Sequence, residues 1–162
     1  MIPFIFPNFK ILSITFITFV LMVLIYISTE IFYAAKVNET GAGSSDYVWN
    51  CVLYYTGAKY TYAITRKGHI HRLFLPGILH VSWTHLLSNM LSYLILGFNI
   101  EKALIVEGGK FSWKYLILLI AGTFGGFLMS GTLNPYYISV GFSCSLFAID
   151  GAYPIWIYIN WN

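Results

Sequence analysis

The chain has 162 residues, of which 58% are apolar and only 9% carry a charge, and its mean hydropathy is +0.71. Soluble domains carry about 25% charged residues, so this composition excludes ordinary soluble, disordered and coiled-coil proteins and indicates that a lipid bilayer is the solvent. At roughly 20 residues for each membrane-spanning helix, the length allows about four to five spans. We therefore predict an all-α polytopic membrane protein.

Charge and cysteine content exclude two further classes of function. The net charge of +3 comes from scattered residues, without the basic patch that nucleic-acid binding requires. The two cysteines, Cys51 and Cys144, have neither the spacing of a disulfide framework nor that of a metal site. We expect no nucleic-acid partner, no metal and no cofactor. The partner that the composition predicts is the lipid bilayer.

Uncharged runs between charged residues mark the predicted spans in chain order. The first run lies between Lys10 and Glu30, and the Asn134-Pro135 pair divides a later run that is too long for one helix. The predicted spans cover residues 11–29, 83–98, 115–130 and 140–153. Residues 155–162, which follow Pro154, either continue the fourth span or begin a fifth. All of them belong to one predicted domain, residues 1–162.

A long connection, residues 35–74, joins the first two predicted spans. Its first part carries six tyrosines and tryptophans between residues 47 and 62, which is too aromatic for a flexible linker. Tyr and Trp side chains are amphipathic and concentrate at the level of the lipid headgroups. We therefore predict that this first loop lies in the membrane interface.

Two polar side chains stand inside the apolar second span. His85 and Asn89 are four residues apart, so they project from the same face of a helix. Polar groups inside a membrane are costly, and they commonly mark functional sites. They also hold helices together by hydrogen bonds without any chemistry. The pair alone leaves both interpretations open.

Ser143 opens the predicted fourth span, two residues after Gly141. A serine in the first turn of a helix acts either as a cap or as an exposed nucleophile. A nucleophilic serine needs a base, and it needs donors aimed at the oxyanion that forms when it attacks a carbonyl. His85 and Asn89 could supply those donors. For Gly122 and Gly126 on the third span, close helix packing is a sufficient explanation.

Several stretches of the chain, taken in order, match one family pattern. They are residues 67–74 (KGHIHRLF) and 79–89 (LHVSWTHLLSN), then Gly97 and the Glu101-Lys102 pair, and finally residues 141–151 (GFSCSLFAIDG). Together these stretches resemble the rhomboid family of intramembrane serine proteases. The resemblance extends from about residue 54 to residue 152 and includes the long first loop.

The resemblance implies an activity and a role for each matching residue. The family cleaves transmembrane segments of other membrane proteins with a Ser-His dyad, without a metal or cofactor. Ser143 would be the nucleophile, and His85 and Asn89 would stabilise the oxyanion. Structural roles would fall to Arg72, His80, Gly141, Phe147, Gly151 and Glu101. The partners would be transmembrane substrates, or client proteins if the chemistry is absent.

The resemblance also implies a general base, which these residues do not supply. In the family the base is a histidine on the sixth span, whereas the four histidines here, at positions 69, 71, 80 and 85, all precede Ser143. Two further departures are His71 in place of a tryptophan before Arg72, and Cys144 in place of a glycine after the nucleophile. We therefore expect a truncated rhomboid-like bundle whose isolated chain is inactive.

Three interpretations stay open at this point. The chain is part of a rhomboid protease from a truncated or split gene; or it is a pseudoprotease that acts as a membrane chaperone or as a structural subunit of a larger membrane complex; or it is an unrelated helical membrane subunit. The third interpretation expects Ser143 to lie far from His85 and Asn89.

Overall fold

A computed structural model describes residues 11–41, 46–105 and 112–161 of the chain. These residues form six α-helices, and their only extended pairing is one isolated bridge. The helices are α1 (Ile14–Thr40), α2 (Asp46–Thr56), α3 (Thr61–Lys67), α4 (Trp83–Leu104), α5 (Trp113–Leu133) and α6 (Ser143–Ile159). Two short 3-10 turns, Ile70–Leu73 and Leu75–Ile78, precede α4. The predicted all-α fold class is confirmed.

Among the described residues, two helices are long and apolar enough to cross a membrane, namely α1 and α5. The predicted spans 83–98 and 115–130 fall inside α4 and α5. Helix α6 begins at Ser143 rather than at residue 140 and runs through Pro154 to Ile159 without a break. The fourth segment therefore continues past the proline instead of giving way to a fifth. Residue 162, the last of the predicted segment 155–162, lies outside the described residues.

Helix α1 starts and ends later than the predicted span 11–29. It begins at Ile14 because the Ser13 side chain accepts a hydrogen bond from the Phe16 amide and caps the first turn. It continues to Thr40 and ends at Gly41, which adopts a left-handed conformation and donates to the Val37 carbonyl. The first loop consequently begins after Thr40 rather than at residue 35, and its described part contains α2, α3 and the two 3-10 turns.

Arg72 holds the first loop together. Its Nη1 donates to the carbonyl oxygens of Tyr54, at 2.9 Å, and Ala58, at 2.8 Å. The guanidinium also lies over the Tyr54 ring, 4.4 Å from the ring centroid, a cation–π contact. Because Arg72 is buried, these partners compensate for the loss of water around its charge. The end of α2 and the first 3-10 turn are thereby joined.

Glu101 joins the end of α4 to the start of α1. Its two carboxylate oxygens accept hydrogen bonds from the amides of Ile14, at 2.7 Å, and Thr15, at 2.9 Å, and from the Thr15 hydroxyl. The first amides of a helix have no partners within the helix, and the helix dipole favours negative charge there. The buried carboxylate of Glu101 therefore fixes α1 against α4.

Helices α5 and α6 pack closely through glycines. A methyl group added at Gly122 would lie 2.6 Å from the Ala148 Cβ and 3.2 Å from the Cys144 carbonyl oxygen. Gly126 faces Cys144 in the same way, whereas Gly125 has no neighbouring atom within 4 Å of such a methyl group. Buried Ser145 adds a hydrogen bond from its hydroxyl to the Leu119 carbonyl at 2.9 Å. The small residues thus let the α6 backbone approach α5.

This packing distinguishes two neighbouring glycines of α5. We expect Gly122→Ala to destabilise the folded protein by about 1–3 kcal/mol, because the methyl group overlaps Ala148 and the α6 backbone. Gly125→Ala on the same helix is the matched control. It should be neutral or slightly stabilising, because alanine has the higher helix propensity. Unfolding by denaturing detergent measures both, and equal stability of the two variants would contradict the packing.

Candidate active site

The first two turns of α4 carry the two polar side chains of the predicted site. The Ser82 hydroxyl accepts a hydrogen bond from the His85 amide at 3.2 Å and caps the helix. His85 is partly buried, and Asn89 lies one turn further along and is buried. The helix period thus places both side chains on one face, as the spacing predicts.

Gly141 brings Ser143 to His85. Its backbone has φ +132°, a conformation that residues with side chains rarely adopt. A methyl group at Gly141 would lie 2.7 Å from His85 Cε1, 3.0 Å from His85 Nε2 and 3.7 Å from the Ser143 hydroxyl oxygen. The imidazole and the hydroxyl therefore flank the same small space beside this glycine. Ser143 is the first residue of α6 and is partly exposed.

Two nitrogen atoms on this face of α4 have no hydrogen-bond partner within the described residues. They are Nδ1 of His85 and the amide nitrogen Nδ2 of Asn89, and both atoms are buried. Leaving a buried polar group unpaired costs about 1–3 kcal/mol, so such groups are uncommon in folded proteins. The unpaired amide of Asn89 is available to an oxygen atom that enters the site.

His80 lies beside His85 and is fully buried. The two rings meet edge to face, with centroids 5.2 Å apart. Burial, together with the neighbouring His85, lowers the pKa of His80 to about 4. His80 is therefore neutral at physiological pH, and it packs against the His85 imidazole without adding a charge there.

The segment that leads into Ser143 is fixed to the first loop. Lys59 and Ser139 pair through two backbone hydrogen bonds of 3.0 and 3.2 Å, and the Gly141 amide donates to the Pro76 carbonyl at 2.9 Å. The Lys59 ammonium donates to the Asn134 carbonyl at 2.7 Å and the Ser130 carbonyl at 3.3 Å. These are carbonyls at the end of α5, where the helix dipole favours a cation.

Lys59 is a residue that the sequence analysis missed. Its side chain is fully buried, and burial lowers the pKa of its ammonium below the usual value. A single lysine in an aromatic loop carries no local signal that it reaches the end of another helix. The Pro76 carbonyl accepts a hydrogen bond from the Gly141 amide. No local sequence pattern predicts that contact either.

The remaining residues expected from the sequence lie elsewhere. Arg72 lies within the first loop, and Glu101 lies at the opposite end of α4 from His85. Phe147 is 74% exposed, and Gly151 is exposed with open space around it. On α6, Phe147 lies one turn after Ser143 and Gly151 lies two turns after it. Within the described ranges, no group of three or more His, Cys, Asp or Glu side chains is arranged to hold a metal ion.

Comparison with known proteins shows the family of the chain. The model of the Rhomboid domain matches residues 67–162, which is more than half of the chain. The chain belongs to the rhomboid family. It is 37% identical over 99 residues to RHOMBOID-like protein 1 of Arabidopsis thaliana, a match that covers 61% of this chain and 24% of that protein.

A second relative gives a similar match. RHOMBOID-like protein 4 of Arabidopsis thaliana is 39% identical over 91 residues, which cover 56% of this chain and 22% of that protein. The rhomboid chain thus aligns with less than a quarter of the length of each of these relatives. No solved structure matches it. Family membership and the two apolar helices identify an integral membrane protein.

The buried His80 gives this rhomboid a predictable sensitivity to acid. Its pKa is about 4 in the folded protein against 6.5 for an ordinary histidine, so the unfolded chain binds the proton more tightly. The contribution of neutral His80 to the free energy of unfolding is fully present above about pH 6.5. About 3 kcal/mol of that free energy is lost as the pH falls towards 4.

Paired variants isolate this contribution. Unfolding measured from pH 7 to pH 4 should show a shallower acid loss for His80→Leu than for the parent. His71→Leu removes an exposed histidine of the same loop and should retain the acid loss that His80 causes. An equal acid loss in all three proteins would exclude His80 as the cause.

Proposed function

We propose that this rhomboid chain is part of a serine endopeptidase that cleaves transmembrane segments of other membrane proteins. Ser143 is the proposed nucleophile. The observation that carries the proposal is the contact at Gly141, which sets the Ser143 hydroxyl and the His85 imidazole around one space. In an unrelated helical membrane protein, a serine and a histidine from two different helices would not be expected to meet beside one glycine.

The oxyanion is assigned to Asn89 and His85. When Ser143 attacks a peptide carbonyl, negative charge develops on the carbonyl oxygen, and preorganised donors in a site that excludes water stabilise it. Asn89 Nδ2 is buried and unpaired among the described residues, so it has no competing partner to release. His85 stands one turn above Asn89 and against Gly141. The His85 Nε2 atom, which faces Gly141, is the second proposed donor to the oxyanion.

The base is assigned to a histidine that the 162 residues do not contain. His85 could remove the Ser143 proton only by leaving the oxyanion, and the other histidines, at positions 69, 71 and 80, all belong to the first loop or its end. Loss of the base in a serine hydrolase typically lowers the rate by about four to six orders of magnitude. We expect no proteolysis from the 162-residue chain by itself.

A second candidate is a pseudoprotease that acts as a membrane chaperone or as a subunit of a membrane complex. Cys144 favours it, because its side chain occupies the position after the nucleophile and packs into the groove at Gly126. That contact serves helix packing and requires no chemistry. The two candidates differ in whether Ser143 can react at all.

Chemical rescue separates these candidates. The purified chain is treated with a fluorophosphonate probe, with and without imidazole at high concentration as an external base. The protease proposal expects slow labelling of Ser143 that imidazole accelerates, and no labelling of Ser143→Ala. The pseudoprotease candidate expects no labelling in either condition, and that result would contradict the proposed nucleophile.

The oxyanion assignment is tested in the same assay with two asparagines of α4. Asn89→Ala should reduce the imidazole-dependent labelling by about 10²–10³-fold, because one oxyanion donor is removed. The matched control is Asn99→Ala. Asn99 is exposed, and its amide donates to the Ile95 carbonyl of its own helix. Labelling should be unchanged there, and an equal loss in both variants would indicate a general effect on folding.

A further inference from the structure

A cavity whose walls do not include Ser143 lies between α1, α2 and the start of α4. Its volume is about 640 Å³, and its walls include four aromatic and two acidic side chains. The aromatic residues are Tyr26, Tyr33, Trp49 and Trp83, and the acidic ones are Glu30 and Asp46. Among the residues that the structure describes, no lysine, arginine or histidine lines these walls. The cavity is therefore aromatic and negatively charged.

The four rings form one connected group. Tyr26 packs edge to face on Trp83, with centroids 4.7 Å apart, and on Trp49 at 6.4 Å. Tyr33 packs on Trp49 at 5.0 Å. Tyr26 is almost completely buried and Trp83 is 54% exposed, so the group extends from the protein interior to the surface. The cluster thus lines the cavity with aromatic side chains from α1, α2 and α4.

A carboxylate is fixed beside these rings. The Tyr26 hydroxyl donates to Glu30 at 2.5 Å, which orients the Glu30 carboxylate without neutralising it. Asp46 begins α2 on the other wall. Ring faces and carboxylates both attract cations, and a cage of aromatic rings is the typical site for a quaternary ammonium group.

The chemistry of the walls favours such a group over other cations. A calcium ion takes six to eight oxygen ligands, whereas these walls provide two carboxylates among aromatic rings. A lysine ammonium is strongly hydrated, so aromatic walls replace its water shell poorly. A trimethylammonium group donates no hydrogen bond and is weakly hydrated. A trimethylammonium group therefore suits a cavity lined by aromatic rings and carboxylates.

The position of the cavity along α1 identifies the source of the cation. Residues 11–29 carry no charge, and Glu30 is the first charged residue after them. The cavity therefore lies where the apolar part of α1 ends, at the headgroup level that Trp and Tyr prefer. We propose that it binds the trimethylammonium group of a choline phospholipid.

The test uses the intact chain in maltoside detergent. Dihexanoyl phosphatidylcholine is added, and tryptophan fluorescence is followed, since Trp49 and Trp83 lie in the cavity wall. We expect a saturable change with phosphatidylcholine and none with dihexanoyl phosphatidylglycerol, which lacks the cation. Equal responses to the two lipids would overturn the proposal. So would stronger binding of a lysine-bearing transmembrane peptide that displaces the choline lipid.

Two charge-removing variants make the test specific. Glu30→Gln keeps an oxygen that accepts from Tyr26 but removes the charge, and it should weaken phosphatidylcholine binding about three- to tenfold. Glu39→Gln removes the same charge from the same helix, where Glu39 pairs with Lys36 on the surface, and should bind as the parent does. Asp46→Asn provides a second variant on the opposite wall. Equal affinity of the Glu30 and Glu39 variants would overturn the assignment.

Discussion

The close approach of the Gly141 backbone to the His85 imidazole is the constraint on which the site depends. Gly141 has φ +132°, and a side chain there would overlap the imidazole. With no side chain, the backbone passes beside His85 and the next turn places Ser143 at the same space. Two helices that are distant in sequence thus contribute one group each. The proposed chemistry rests on this contact.

That contact is held in place by the first loop. Lys59 pairs with Ser139 through the backbone and binds the carbonyl groups at the end of α5 through its ammonium. The Pro76 carbonyl accepts a hydrogen bond from the Gly141 amide. Arg72 donates to the carbonyl of Ala58, the residue before Lys59. The described part of the first loop therefore fixes the segment that leads into α6.

Sequence reasoning captured the parts of this structure that have a period or a family motif. Hydropathy predicted helices in the regions of α1, α4, α5 and α6, but not α2 and α3 in the first loop. The four-residue spacing predicted that His85 and Asn89 share a face. The ends of the helices were harder to predict from hydropathy. The uncharged run of α1 ends before Glu30, but the helix continues to Thr40 and ends at the left-handed Gly41. The role of Lys59 was invisible, since its partners lie more than 70 residues away and no local pattern encodes such a contact.

The most direct test of the account is chemical cross-linking between His85 and Ser143. Both positions are changed to cysteine in a Cys51→Ser, Cys144→Gly background, and a short thiol-reactive cross-linker is applied in membranes. The account predicts efficient cross-linking of positions 85 and 143, and little between 85 and 151, two turns or about 12 Å further along α6. Absence of the 85–143 product, or equal yields for the two pairs, would contradict it.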